Sequence, residues 1–216
     1  MTHTAPAHPH VVLIDNQDSF VYNLVDALAG FHTTVFRNTV SLDDVLAAQP
    51  DIIVLSPGPG HPTEAGCMME LIQSQLEKTP ILGICLGFQA LLHHHGGTVE
   101  PCGPVHGASV PMTLTPEGTR HPVFADLAVD REPDNPSYVG TQVPVARYHS
   151  LGCTTIPEGM VSLATTATEI GDVIMAAETS DGMAMGVQFH PESVLTPKGP
   201  IMLERFIEQL VIKGEK

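Results

Sequence analysis

Positive charge is scarce in this chain. Nine lysines and arginines stand against 24 aspartates and glutamates, a formal net charge of −15 at pH 7. No Lys/Arg cluster breaks that acidity, so nothing is built to track a phosphate backbone and no nucleic-acid partner is expected. The negative balance suits a dispersed soluble protein and identifies no substrate. Cysteine is sparse as well. Cys67, Cys85, Cys102 and Cys153 form no CxxC pattern, and no secretory apolar core follows the N-terminus. Disulfides are not expected, and the reading is a reduced, cytoplasmic protein. Long apolar runs are missing too. The longest nearly apolar stretch, Ile81 to Leu92, is short and broken by Gly83, Gly87 and Gln89, so membrane insertion is not expected. There is no GxxxxGK[ST] loop to support ATP binding and no internal repeat.

What is present points to one α/β domain. A chain of 216 residues and 23.0 kDa is large enough to bury roughly 70% of its unfolded surface. Residues 1–9 read as a flexible tail and 10–216 as the domain. Apolar, β-rich runs at Val11 to Ile14, Thr33 to Phe36, Ile52 to Leu55 and Ile81 to Ile84 are flanked by Gly, Pro or Asp, as buried parallel strands are. Between them lie helical patterns. Ser19 to Ala29 carries Phe20, Leu24 and Leu28 on one stripe, and Ser41 to Ala48 opens with a cap-like Ser41 and Asp44. This alternation predicts an open, mostly parallel sheet with helices on both faces, with sites at the carboxyl ends of the strands. Val99 to Thr115 and Val161 to Phe189 predict added antiparallel strands, short and divided by Gly/Pro turns. Asp130 to Val143 reads as a loop. Ile201 to Val211 predicts a final amphipathic helix with Ile201, Phe206, Ile207 and Leu210 on its apolar face.

Chemistry concentrates in two segments. Gly83-Ile84-Cys85-Leu86-Gly87 follows an apolar run and places one cysteine between two glycines. A sharp strand-to-helix turn needs residues without a Cβ around its nucleophile, and such an elbow lifts the side chain clear of the sheet. Downstream, Gln188-Phe189-His190-Pro191-Glu192 would put His190 and Glu192 on one face if extended, as a base and its orienting carboxylate. Cys85, His190 and Glu192 make a candidate triad. Gln89 lies four residues after Cys85 and shares the face of a helix starting at the elbow.

With Leu55-Ser56-Pro57-Gly58-Pro59-Gly60 added, these motifs give the chain its resemblance to the class I, triad-type glutamine amidotransferases, and among them to the second component of anthranilate synthase. Val12 to Phe20 and Arg147-Tyr148-His149-Ser150-Leu151 extend the likeness from about His10 to near the C-terminus. The resemblance implies a flavodoxin-like α/β fold and hydrolysis of glutamine by Cys85, His190 and Glu192. It implies an oxyanion hole from Gly58 and Leu86, and glutamine contacts from Gly58, Pro59, Gly60, Gln89, Ser150 and Leu151. It further implies transfer of ammonia to a chorismate-binding anthranilate synthase component I, in a heterotetramer. No cofactor or metal is expected in this chain, with Mg2+ expected only at the partner synthase subunit.

Plainer readings stand beside these. Ser56 to Gly60 can be an ordinary loop after a strand, Cys85 a small buried hydrophobe, His190 a satisfied core histidine and Glu192 a surface charge. His93-His94-His95 suggests metal, but consecutive helical residues diverge, and cationic character suits a helix C-terminus. Cys67, Met68 and Met69 read as core. The chain departs from the family pattern at Phe88, where histidine or tyrosine is common, at Val105-His106-Gly107-Ala108, which lacks a frequent lysine, and in the 130–143 extension. Other assignments remain open: the matching subunit of aminodeoxychorismate synthase, a subunit shared by both synthases, a γ-glutamyl peptidase, or a non-catalytic binding subunit.

Overall fold

Side-chain alternation along short apolar strands gives the parallel part of the sheet an apolar layer on each face. The computed structural model describes residues 9–105, 107–132, 134–135 and 138–214. The first half runs β1 (His10–Asp15), α1 (Val21–Ala27), β2 (His32–Arg37), α2 (Leu42–Ala47), β3 (Ile52–Leu55), α3 (Met68–Gln75), β4 (Ile81–Ile84) and α4 (Leu86–His94). The second half adds β5 (Glu100–Pro101), β6 (Ala108–Leu114), α5 (Pro116–Arg120), β7 (Gln142–Arg147), β8 (Leu151–Gly152), β9 (Met160–Thr168), β10 (Gly171–Thr179), β11 (Ala184–Val187) and α6 (Gly199–Gly214).

One sheet of nine strands has the order β2-β1-β3-β4-β11-β10-β9-β6-β7, and β5 pairs with β8 in a separate ribbon. From β2 to β11 the neighbours are parallel; from β11 outward to β7 every pairing is antiparallel. Val11, Leu13, Ile52, Val54, Leu82 and Ile84 face one layer, against Leu24 before the end of α1 and Met202, Phe206 and Leu210 of α6. Val12, Ile14, Ile53, Leu55 and Ile81 face the other, under Val45 of α2, Leu71 of α3 and Leu91 of α4. The mostly parallel sheet with helices on both faces and antiparallel strands added in the second half is thus the observed architecture.

Local chemistry sets several boundaries. Ser41 caps α2: its Oγ accepts from the Asp44 N–H at 3.2 Å and donates to the Asp44 carboxylate at 2.6 Å, an arrangement that typically contributes about 1 kcal/mol. Helix α1 starts after Phe20 with no side-chain cap. The buried stripe is therefore Val21, Leu24 and Leu28, and Phe20, expected on it, is 51% exposed. In α6, Met202, Leu203, Phe206, Ile207, Leu210 and Val211 are buried while Ile201 faces out, because at 3.6 residues per turn position 201 lies on the side opposite that stripe. Cys67 to Met69 do pack inward, with Met68 fully buried, but as the lead into α3, a helix the sequence pattern did not predict.

Two further readings of the second half need correction. Strands β9 and β10 are long, each nine residues, forming a hairpin with register irregularities around Ala176. The segment read as a loop over Asp130 to Val143 gives its last two residues to β7. Its start is tied to that strand. The Asp130 carboxylate accepts from the Thr141 and Gln142 N–H groups, each at 2.8 Å, and from the Tyr138 hydroxyl at 3.0 Å. Burial pushes this carboxyl up, but these donors together bring it down to about 2. Residues 1–8 of the expected 1–9 tail, and His106, lie outside the described residues.

A depressed carboxyl contributes stability that is complete above its unfolded value of 3.8 and is lost as the pH falls through about 2. Asp130→Asn removes that acid-sensitive contribution. We expect faster amide exchange at Thr141 and Gln142 and a melting temperature lower by about 2–4 °C at neutral pH. Unchanged exchange at both amides would show that the carboxylate does not hold the loop.

Candidate active site

Cys85 joins β4 to α4 in a backbone conformation that side chains rarely adopt, φ 51° and ψ −100°. Such strain costs on the order of 1–3 kcal/mol and persists only where surroundings enforce it. Here the Cys85 N–H donates to the Val187 carbonyl at 2.8 Å, and the Gln89 N–H donates to the Cys85 carbonyl at 2.9 Å. The flanking glycines are needed for closeness. A Cβ on Gly83 would lie 2.6 Å from the Gly87 carbonyl oxygen, and one on Gly87 would run into the Leu55 carbonyl. Helix α4 therefore sits directly on the ends of β3 and β4, with the Cys85 side chain at their carboxyl edge and 8% exposed.

The Ser56 to Gly60 loop is fastened from β1. The Asn16 N–H donates to Ser56 Oγ at 2.8 Å, and Asn16 Nδ2 donates to the Ser56 carbonyl at 2.9 Å and to Met68 Sδ at 3.4 Å. A Cβ on Gly58 would meet Asn16 Cβ at 2.7 Å and Leu86 Cδ2 at 3.0 Å, so Gly58 and Leu86, the two expected oxyanion donors, are neighbours. Pro59 and Gly60 complete the exposed end of this loop.

His190 and Glu192 meet by a different route from that expected. Strand β11 stops at Val187, and bends and a turn follow. The contact is nonetheless made: His190 Nδ1 donates to Glu192 Oε1 at 2.6 Å, which leaves Nε2 on the other side of the ring. Thr196 holds the backbone, its hydroxyl donating to the His190 carbonyl at 2.7 Å and accepting from the Ala146 N–H at 2.9 Å. Burial pushes the His190 imidazole down, but the negative charge and hydrogen bonding of Cys85, then Glu192, outweigh it and raise it well above its ordinary value. Tyr148 stacks edge-on against His190 with centroids 5.0 Å apart, and its hydroxyl pairs with Ser193 at 3.1 Å.

Two openings meet at Cys85. One, about 430 Å³, is lined by Asp18, Phe20, Pro57, Cys85, Tyr148 and His190 among others. The other, about 190 Å³, lies among Gly58, Gly60, Cys85, Gln89, Ser150 and Leu151. The six residues read from the sequence as glutamine contacts all border the smaller opening, and Gly58 and Pro59 border both. Five further residues had not been assigned a role: Asn16, Asp18, Tyr148, His149 and Gln188. All lie within motifs already noted, and Gln188 has the same parity as His190 and Glu192. Asp18 carries a buried Oδ2 without a partner among the described residues, and burial raises its carboxyl above the ordinary range.

The model of the glutamine amidotransferase class-I family matches residues 12–210. The chain belongs to the class-I glutamine amidotransferases. Among relatives of this amidotransferase, an anthranilate synthase component 2 of Corynebacterium glutamicum is 63% identical over 204 residues, covering 94% of this chain and 98% of that one. Another, from Halobacterium salinarum, is 40% identical, covering 92% and 97%. The crystal structure of a candidate GMP synthase protein from Thermoplasma acidophilum superposes with a TM-score of 0.76 at 20% identity, covering 99% of this chain and 98% of that chain, a likeness of fold.

Other polar groups of the amidotransferase lie outside the Cys85–His190 pair or beside the pocket. His93 meets His61 edge-on at 5.6 Å, and among the described residues no group of three or more His, Cys, Asp or Glu side chains is arranged to hold a metal ion. All four cysteines are free. His149 is buried beside the pocket. Its Nδ1 donates to the Leu151 carbonyl at 2.8 Å, and its Nε2 accepts from Arg147 Nε at 3.1 Å. Burial and then the Arg147 charge push its imidazole down to about 4.

Two titrations test this electrostatic arrangement. His149 binds a proton more weakly folded than unfolded, so its contribution to stability is complete above pH 6.5 and lost as the pH falls towards about 4. The loss is on the order of 3 kcal/mol. Urea unfolding should therefore show a flatter acid limb for His149→Asn than for the wild type across that window; equal slopes would contradict the assignment. For His190, Glu192→Gln should lower the NMR titration midpoint by about one pH unit or more, and an unmoved midpoint would leave Glu192 without electrostatic influence.

Proposed function

We propose that this amidotransferase is the glutamine-hydrolysing subunit of an anthranilate synthase, supplying ammonia to a separate chorismate-binding component I in a heterotetramer. One observation carries the chemistry: the Glu192-linked His190 borders the same open pocket as Cys85. The high identity to an anthranilate synthase component 2 across nearly the whole of both chains supports the choice of synthase.

In this reading the Cys85 sulfur attacks the side-chain amide carbon of glutamine. Negative charge develops on the amide oxygen, and the Leu86 and Gly58 N–H groups receive it; loss of one such donor costs about 10² to 10³ in turnover in well-studied enzymes. Carbon–nitrogen cleavage follows as protonated His190 gives its proton to the departing nitrogen, releasing ammonia and leaving a γ-glutamyl thioester. Water, deprotonated by His190, attacks that thioester, and glutamate leaves with the thiol restored. Glu192 fixes the ring so that Nε2 faces the reacting atoms. Gly58, Pro59, Gly60, Gln89, Ser150 and Leu151 hold the amino-acid portion.

Residues 10–216 form the catalytic domain in this reading, with 1–9 as its tail. The chain uses no cofactor or metal of its own, Mg2+ belonging to the synthase component, and works in the cytoplasm without nucleic-acid or membrane partners. Among the described residues no helix is long and apolar enough to cross a membrane.

Glutamate release from glutamine, measured with and without component I and chorismate, tests the proposal. Stimulation by component I, with anthranilate formed and both activities abolished by Cys85→Ser, is expected. Activity independent of any partner would point to a free-standing glutaminase or peptidase. Ammonia transfer only to an aminodeoxychorismate synthase component would move the chain to that enzyme.

A further inference from the structure

A buried hydrogen-bonded path runs from the wall of the smaller pocket to the sulfur of Cys85. At its far end Arg147 Nε, which can only donate, reaches His149 Nε2 at 3.1 Å. That fixes the neutral ring with its proton on Nδ1, which donates to the Leu151 carbonyl at 2.8 Å. The same carbonyl accepts from Gln89 Nε2 at 3.0 Å, and Gln89 Nε2 also donates to Gln188 Oε1 at 3.1 Å. With its oxygen so engaged, Gln188 presents its own Nε2 to Cys85 Sγ at 3.6 Å. Every donor and acceptor along the path is determined by its neighbour, and flipping either amide would place like groups together. The path is buried: Arg147, His149, Gln89 and Gln188 are all at most 6% exposed.

We propose that Gln188 is a positioning residue for the nucleophile, held in register from the substrate pocket by Gln89, the Leu151 carbonyl, His149 and Arg147. Its N–H donor fixes the direction of the sulfur and favours the thiolate over the thiol, as a hydrogen bond to the charged form does. Gln89 then has two functions. Both its Nε2 protons are committed to protein groups, so what it offers the pocket is its acceptor oxygen, suited to an ammonium group. A ligand that shifts Gln89 thereby also shifts the donor on the sulfur. The other titratable groups around Cys85 are His190, with Glu192 behind it, and Asp18. None of them is hydrogen-bonded to the Gln188 side chain, whose partners among the described residues are Gln89 and Cys85.

This inference rests on Cys85 being the nucleophile of the proposed function, and its test separates the two. Alkylation of Cys85 by iodoacetamide is followed against pH in the full chain without glutamine, for wild type, Gln188→Met and the isosteric Gln188→Glu, with melting curves to identify folded variants. Gln188→Met should raise the midpoint by about one pH unit, slowing alkylation about tenfold at pH 7. It should lower kcat about tenfold while KM stays within about twofold. Gln188→Glu, which replaces the donor with a carboxylate, should raise the midpoint further. Gln89→Met should raise it in the same direction even without substrate, which a residue that only contacts glutamine would not do. A folded Gln188 variant with a wild-type alkylation profile would overturn the relay. A shifted profile in a protein that never hydrolyses glutamine would overturn the proposed function and leave the relay standing.

Discussion

Everything at the carboxyl edge of the sheet depends on how closely α4 lies against β3 and β4. The strained backbone of Cys85 is tolerable because three separate contacts oppose its relaxation: its N–H on the Val187 carbonyl, Gly83 against the Gly87 carbonyl and Gly87 against the Leu55 carbonyl. Adding even one methyl group at either glycine would lift the first turn of the helix off the strands. The thiol would then lose its place between Gly58 and His190, so backbone packing and chemistry are one constraint.

The sheet divides the work between its halves. The parallel half supplies the elbow, the Asn16-fastened loop and the deep apolar support on which both rest. The antiparallel half contributes through its connections: His190 follows β11, its backbone is held by β7 through Ala146 and Thr196, and Leu151 begins β8. Since β4 and β11 are adjacent and in register from Ala184–Ile81 to Val187–Ile84, Cys85 and Gln188 leave the sheet side by side. Residues more than 100 positions apart thus meet across a single strand spacing.

Much of this was legible in the residues because the deciding forces are local. Wholly apolar runs marked β1, β3 and β4, the Ser41–Asp44 pair marked the start of α2, and two glycines around a cysteine marked the elbow. What escaped depended on partners distant in sequence or on the local path of the backbone. Phe20 looked like core because a helical wheel cannot reveal that α1 starts one residue later. His190 and Glu192 were paired by strand alternation, yet the contact is made through a turn. Asn16 and His149 gave no local signal of their roles, since their partners lie 40 residues away on Ser56 or in a short loop whose folding sets the ring's tautomer. The length of β9 and β10 depends on pairing with each other, which Gly/Pro spacing does not encode.

The two openings at Cys85 share Gly58, Pro59, Cys85 and Tyr148, so these four residues form the wall between them. A molecule entering by the side of Gln89 and Leu151 fills one chamber while the other, bounded by Asp18 and His190, stays open. A change at any of the four shared residues therefore alters both openings at once.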